Sequence, residues 1–139
     1  MISVLLADDH TVVREGLRFI LEAPGDIQIA ASVSNGKEAV EQAFQNCPDV
    51  AVIDISMPVM DGIEATRYIC EHCPNTRIVM LSMYDSPEYI QRALKAGALG
   101  YVLKDAAGNE LVEAVRALNQ GKRYFSPRIA EIVNYLQAK

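Results

Sequence analysis

The stretch VAVIDISMPVMDG, residues 50–62, runs from apolar residues through one carboxylate into a proline-bearing turn. Val50–Ile53 is apolar throughout rather than alternating, the pattern of a strand covered on both faces. Asp54 therefore stands at the end of a buried strand, and Met57–Pro58 turns the chain after it. Working outward, four more runs read the same way: Ile2–Ala7, Ile27–Val33, Arg77–Ser82 and Gly100–Leu103.

The segments between these runs carry helical periodicity. Val13, Leu17, Ile20 and Leu21 share a face, as do Ala39, Val40, Ala43 and Phe44. So do Ile63, Thr66, Ile69 and Cys70, then Ile90, Ala93 and Leu94, then Leu111, Val115 and Leu118. Asn35 with Glu38 has the form of a capping box, and Ser86–Pro87 places a cap before a proline at the first helical position. Gly97 and Gly121 follow helix ends, where a left-handed residue is often required. After Lys122–Phe125, Ser126–Pro127 starts a sixth helix with Ile129, Ile132, Val133 and Leu136 as its stripe. Five strand-to-helix alternations imply a parallel sheet with helices on both faces, and ligands in such sheets bind at the carboxyl ends of the strands.

Composition sets the outer bounds. A chain of 139 residues, half of them hydrophobic and 22% charged, is the size of one ordinary domain. No apolar run approaches the roughly 20 residues of a membrane helix, and Asp8 and Asp9 cut the first run too short for a signal peptide. The formal net charge of −5 argues against nucleic-acid binding by this chain itself. Three cysteines, an odd number, fit a reducing, cytoplasmic setting.

The strand ends carry the chemistry. Asp8 and Asp9 follow the first run, Asp54 the third, Ser82 closes the fourth and Lys104 follows the fifth. Carboxylates about 4 Å apart repel by about 4 kcal/mol per pair at an effective dielectric near 20, so they take up protons or a cation. Oxygen ligands with room for water favour Mg²⁺ (or Mn²⁺). With Lys104 the sum is near neutral, and a phosphoryl group is then no longer repelled. Taken singly, each residue has a plainer reading: Asp8 and Asp9 as a helix cap, Asp54 as a turn starter, Lys104 as a solvated lysine.

LLADDH (5–10), VIDISMPVMDG (52–62), VMLSM (79–83) and GALGYVLKD (97–105) together resemble the receiver domains of bacterial two-component response regulators. DDHTVVREGL and GYVLKD are most similar to the subfamily with a LuxR-type helix-turn-helix output domain. The resemblance implies a doubly wound, flavodoxin-like (βα)₅ fold with strand order 2-1-3-4-5, here with an extra C-terminal helix. It implies a receiver over residues 1–121, with 122–139 as a linker and amphipathic helix. Asp54 would accept a phosphoryl group from a sensor histidine kinase. Asp9 and Asp54 would ligate Mg²⁺ with the backbone carbonyl of Ser56, and Asp8 would act through a bound water. Lys104 would pair with the phosphoryl oxygens. Ser82 would hydrogen-bond them, and Tyr101 would turn inward behind it.

The expected output face is the fourth helix, fifth strand and fifth helix, used in a phosphorylation-dependent homodimer. DNA would be reached only through a helix-turn-helix outside this chain, for control of transcription. Such a domain promotes its own phosphorylation and dephosphorylation and is otherwise no enzyme. The alternatives are a Mg²⁺-dependent phosphohydrolase, disfavoured because Ser56 stands where a second catalytic Asp is needed, and an interaction module with an unused acidic pocket.

Other features invite readings. Asp105 stands where many receivers have a proline after the lysine. Met83 is larger than the residue many receivers carry there, and would narrow access to Asp54. Cys70–Glu71–His72–Cys73 has a C-x-x-C spacing, but without a second such pair it reads as small buried hydrophobes, with Cys47 nearby and His72 pointing elsewhere. His10 reads as a polar residue entering the first helix. Lys122, Arg123, Arg128 and Lys139 are too sparse for a DNA-binding helix.

Overall fold

A computed structural model describes residues 1–138, so Lys139 lies outside the described residues. The strands are β1 (Ile2–Ala7), β2 (Ile27–Val33), β3 (Val50–Asp54), β4 (Arg77–Ser82), β5 (Gly100–Leu103) and β6 (Tyr124–Phe125). The helices are α1 (Thr11–Glu22), α2 (Gly36–Gln45), α3 (Gly62–His72), α4 (Pro87–Ala96), α5 (Ala107–Asn119) and α6 (Pro127–Gln137). All strand pairs are parallel and the order is β2-β1-β3-β4-β5-β6. The expected doubly wound sheet is present, extended by one short strand that the sequence pattern missed.

Strand alternation sends side chains to two cores. Leu5, Ala7, Ala51, Ile53, Ile78, Met80 and Tyr101 face a cluster completed by Ala39 and Ala43 of α2, Ile63 and Ile69 of α3, Ile90 and Ala93 of α4, and Ile129 and Val133 of α6. Val4, Leu6, Val50, Val52, Val79, Leu81 and Val102 face a second cluster with Leu17 and Leu21 of α1 and Leu111, Ala114, Val115 and Leu118 of α5. Both faces are thus covered, which is why the central runs are apolar without alternation.

Helix ends follow the sequence with local substitutions. Asn35 Oδ1 accepts from the Glu38 amide at 2.9 Å, while the Glu38 carboxylate reaches one residue further back, to the amide and hydroxyl of Ser34. Ser86 Oγ caps α4 ahead of Pro87, and Gly97 closes it at φ 116°. Ser126 starts α6 without capping it. Its hydroxyl donates to Glu110 at 2.8 Å and accepts from the Leu103 amide at 3.0 Å, clasping α6 to α5 and β5. α6 packs on α4, so it shares the face expected to be the open output surface.

Two apolar-stripe assignments need adjustment. Val13 is 38% and Phe44 42% exposed, because α1 and α2 bury narrower stripes centred on Leu17 and Leu21 and on Ala39 and Ala43. Phe44 stacks on His72 with ring centroids 4.0 Å apart, so His72 faces α2.

The cysteines are corrected more substantially. Cys47 and Cys73 form a disulfide across a sequence separation of 26, with Cα atoms 5.6 Å apart. Cys70 alone is a free thiol among the described residues, and burial pushes it up from its ordinary range. The α2–β3 and α3–β4 corners are neighbours because β3 and β4 are adjacent. Thr76 Oγ1 donates to Pro48 O at 2.5 Å and the Arg77 amide donates to Asp49 O at 3.1 Å, fixing the two corners together. The expectation of unpaired, reduced cysteines therefore does not hold in this structure for Cys47 and Cys73.

Closing a loop of this length stabilises the fold by about 3 kcal/mol through the unfolded chain. Cys47→Ser is expected to lower the unfolding free energy of the oxidised protein by about that much, measured by urea denaturation. Reductant added to wild type should bring the two curves together.

Candidate functional site

The site is built at the carboxyl edge of the sheet. Asp8 directly follows β1, Asp54 ends β3, Ser82 ends β4, and Lys104 opens a 3₁₀ turn (Lys104–Ala106) after β5. That turn occupies the position where a proline was noted as missing, and it leads directly into α5. Asp8 and Asp54 are buried, and the Lys104 side chain is only 10% exposed. Lys104 Nζ donates to Asp54 Oδ2 at 3.0 Å and to Asp8 Oδ1 at 3.2 Å. The cap reading for the acidic pair does not describe Asp8: its Oδ1 accepts the His10 amide at 2.9 Å, and the N-cap of α1 is His10, without a side-chain cap.

Asp54 is held from below by its own chain. Its Oδ1 accepts the Ser56 amide at 3.2 Å. The Gly62 amide donates to Ile55 O at 2.8 Å, and a Cβ at Gly62 would collide with the Asp54 carbonyl oxygen. Glycine is therefore required for α3 to start this close to the strand end. Between them the chain makes a tight turn in which the Met60 amide donates to Pro58 O at 2.8 Å, with Val59 at φ 70°. That conformation is strained for a β-branched residue.

The electrostatics separate the partners. Burial raises the Asp54 carboxyl above its ordinary 3.8; Lys104 pulls it back and Asp8 adds repulsion. Burial alone would pull the Lys104 ammonium down, but Asp54 and Asp8 outweigh it and hold it above its ordinary range. One cation between buried anions leaves negative charge uncompensated.

The donor set fits a hard cation. Ligand atoms of Asp8, Asp9, His10 and Asp54 lie within 4.8 Å of one another. Asp9 Oδ1 is buried without a hydrogen bond. Asp8 Oδ2 is buried likewise, although Lys104 Nζ is 3.1 Å away. These oxygens point to a site suited to Mg²⁺.

The sequence-derived switch residues also lie together. Ser82 is 1% exposed and its Oγ accepts the Tyr84 amide at 2.9 Å. Tyr101 is fully buried, and its hydroxyl donates to Tyr84 O at 2.6 Å. Burial pushes that phenol up to about 12. β5 is no edge strand here, because β6 pairs outside it and the Ser126 amide donates to Tyr101 O at 3.0 Å. Met83 is 74% exposed and lines a cleft of about 460 Å³ with Asp85, Leu103, Lys104 and Asp105. The contact between His10 Nδ1 and Lys104 Nζ, 3.0 Å long, was not foreseen. It spans a sequence separation of 94 and leaves no periodic signal.

The doubly wound sheet thus gathers two buried carboxylates and a lysine at its strand ends. Comparison with known proteins places this arrangement in a family. The family model for the response regulator receiver domain matches residues 4–116. The oxygen regulatory protein NreC of Staphylococcus carnosus is 40% identical over 128 residues, covering 91% of this chain and 59% of NreC. The chain thus spans about three fifths of the length of that curated relative. A LuxR-family two-component response regulator from Aurantimonas sp. SI85-9A1 superposes with a TM-score of 0.92 at 34% identity, covering 100% of this chain and 99% of the other. The isolated receiver of RcsB from Salmonella enterica serovar Typhimurium, solved with the phosphomimetic BeF3-, gives 0.84 at 28% identity over 94% of this chain and 97% of that one. The chain belongs to the response regulator receiver domains, and within them it is similar to the LuxR-type regulators.

The buried Asp54 charge sets a stability prediction. Its folded value is raised, so its contribution is fully present below 3.8 and is lost as pH rises through the raised value. At neutral pH the ionised group is a burden. Asp54→Asn is therefore expected to raise the stability of the protein at neutral pH. The gap should narrow as pH falls toward 3.8, as followed by urea denaturation across pH.

Proposed function

We propose that this chain is the phosphoacceptor of a two-component pathway, taking a phosphoryl group from the phosphohistidine of a sensor histidine kinase onto Asp54. The observation that carries this reading is the Asp54–Lys104–Asp8 arrangement at the strand ends, with Asp9 beside it, in a chain of the receiver family. An Asp54 oxygen attacks phosphorus, the phosphorus–nitrogen bond of the donor breaks, and an acyl phosphate forms. Asp9, Asp54 and the Ser56 carbonyl would hold Mg²⁺ (or Mn²⁺), with Asp8 acting through water, and the ion would neutralise charge at the phosphoryl oxygens. Lys104 exchanges its Asp54 contact for a phosphoryl oxygen, as phosphoryl transfer needs positioning and charge stabilisation above all.

The new phosphate brings a charge of about −1.5 to −2. Ser82 Oγ turns toward it and gives up the Tyr84 amide, which moves the 83–86 loop beneath which Tyr101 is anchored. The readout is altered association: a phosphorylation-dependent homodimer and, through a C-terminal domain beyond residues 122–139, DNA binding and control of transcription. On this reading the protein acts in the cytoplasm; among the described residues no helix is long and apolar enough to cross a membrane. The chain promotes only its own phosphorylation and dephosphorylation, since Ser56 stands where a phosphohydrolase would need a second acid.

Incubation with Mg²⁺ and acetyl phosphate is expected to give a mass gain of one phosphoryl group. The adduct should be labile to hydroxylamine and absent in Asp54→Ala. Multiple turnover of a phosphate ester would instead favour the hydrolase, and an unmodified chain would favour the interaction module.

A further inference from the structure

We infer that His10 is a positioning residue for Lys104, supplying the third acceptor that keeps its ammonium aimed into the pocket. The inference rests on the phosphoacceptor reading above. A lysine ammonium has three N–H donors and no acceptor. Three acceptors meet hydrogen-bond geometry at Lys104 Nζ: Asp54 Oδ2 at 3.0 Å, Asp8 Oδ1 at 3.2 Å and His10 Nδ1 at 3.0 Å, while Asp8 Oδ2, 3.1 Å away, adds charge attraction without a hydrogen bond. The set is complete, which matters because the Lys104 side chain is 90% withdrawn from the water that would otherwise satisfy it.

The His10 side chain is not used to cap its helix. It stands at the N-cap of α1 but makes no capping bond, and its own amide is taken by Asp8. Its ring is 59% exposed, so it is not packed into the core. Nδ1 also lies 3.3 Å from Asp8 Oδ1 and 3.4 Å from Asp9 Oδ1, both longer than the contact to Lys104. A proton on Nδ1 would face the ammonium, so this contact selects the tautomer with its hydrogen on Nε2.

The role becomes distinct when the pocket is loaded. Asp54 would ligate a divalent cation directly and Asp8 would do so through water, and Asp54 gives up its Lys104 contact on phosphorylation. His10 is the one acceptor of the three that is not a carboxylate, and it stays behind to hold Lys104 within reach of the incoming phosphoryl oxygens. Positioning of this kind contributes through orientation rather than affinity.

The test compares wild type, His10→Ala and His10→Asn, the last returning a short side-chain acceptor. Expected for His10→Ala is a roughly five-fold slower gain of the acetyl-phosphate adduct at saturating Mg²⁺, with the Mg²⁺ dissociation constant within two-fold of wild type by calorimetry. His10→Asn should recover most of the rate. In metal-free protein, acetylation of Lys104 by acetic anhydride, read by peptide mass mapping, should become several-fold faster in His10→Ala and return toward wild type in His10→Asn. An unchanged rate and unchanged Lys104 labelling in folded His10→Ala would overturn the inference. So would a rate loss matched by an equal loss of Mg²⁺ affinity, which would make His10 a metal ligand instead. Absence of the adduct from wild type itself overturns the phosphoacceptor reading, and the metal-free labelling then still decides whether His10 holds Lys104.

Discussion

Lys104 between Asp8 and Asp54 is the constraint on which the functional edge depends. Bringing carboxylates together in a buried pocket is unfavourable, and a single buried ammonium offsets only part of the cost. The fold meets this cost because each group sits at the end of a strand held on both sides: β1 between β2 and β3, β3 between β1 and β4, β5 between β4 and β6. None can relax away without disturbing a covered sheet. The residual negative charge is then a property of the scaffold rather than of a flexible loop, and it gives the pocket its appetite for a cation.

The same logic explains which parts of the molecule were legible in the sequence. β1, β3 and β4 are apolar runs whose ends carry Asp8, Asp54 and Ser82, so their pattern gives both the strand and the polar residue beyond it. The Asn35 and Ser86 caps are equally local. β6 was not legible, because Tyr124–Phe125 is too short for any period and exists only by pairing with β5. Phe44 obeys the helical period yet stays outside, since α2 already fills its contact with Ala39 and Ala43 and leaves the ring to stack on His72. Cys47 and Cys73 each follow the end of a helix and precede a proline, which is a local signal. Their union depends on β3 and β4 being adjacent, which is not.

Around Tyr101 the fold does more than sequence alone suggested. The residue sits beneath Tyr84 O on one side and is joined through its own carbonyl to Ser126 on the other. Arg128 of α6 also reaches Asp85 at 3.2 Å, though both side chains are largely exposed and the pair adds little stability. Ser82, Tyr84, Tyr101 and the start of α6 are thus one connected set of hydrogen bonds. A movement of the 83–86 loop has a short physical route to the last helix.

The disulfide bears on motion as well as on stability. Cys47 lies just before β3 and Cys73 just after α3, so the bond encloses the strand that presents Asp54 together with the helix that follows it. Proteins open in cooperative units that often coincide with supersecondary motifs, and β3 with α3 is one such motif, with β3 paired on both sides. Here the two ends of that motif are tied to each other at the edge remote from the pocket. With that far corner closed and β3 paired on both sides, local opening of the β3–α3 unit is confined to the 55–61 turn, beside the pocket rather than opposite it.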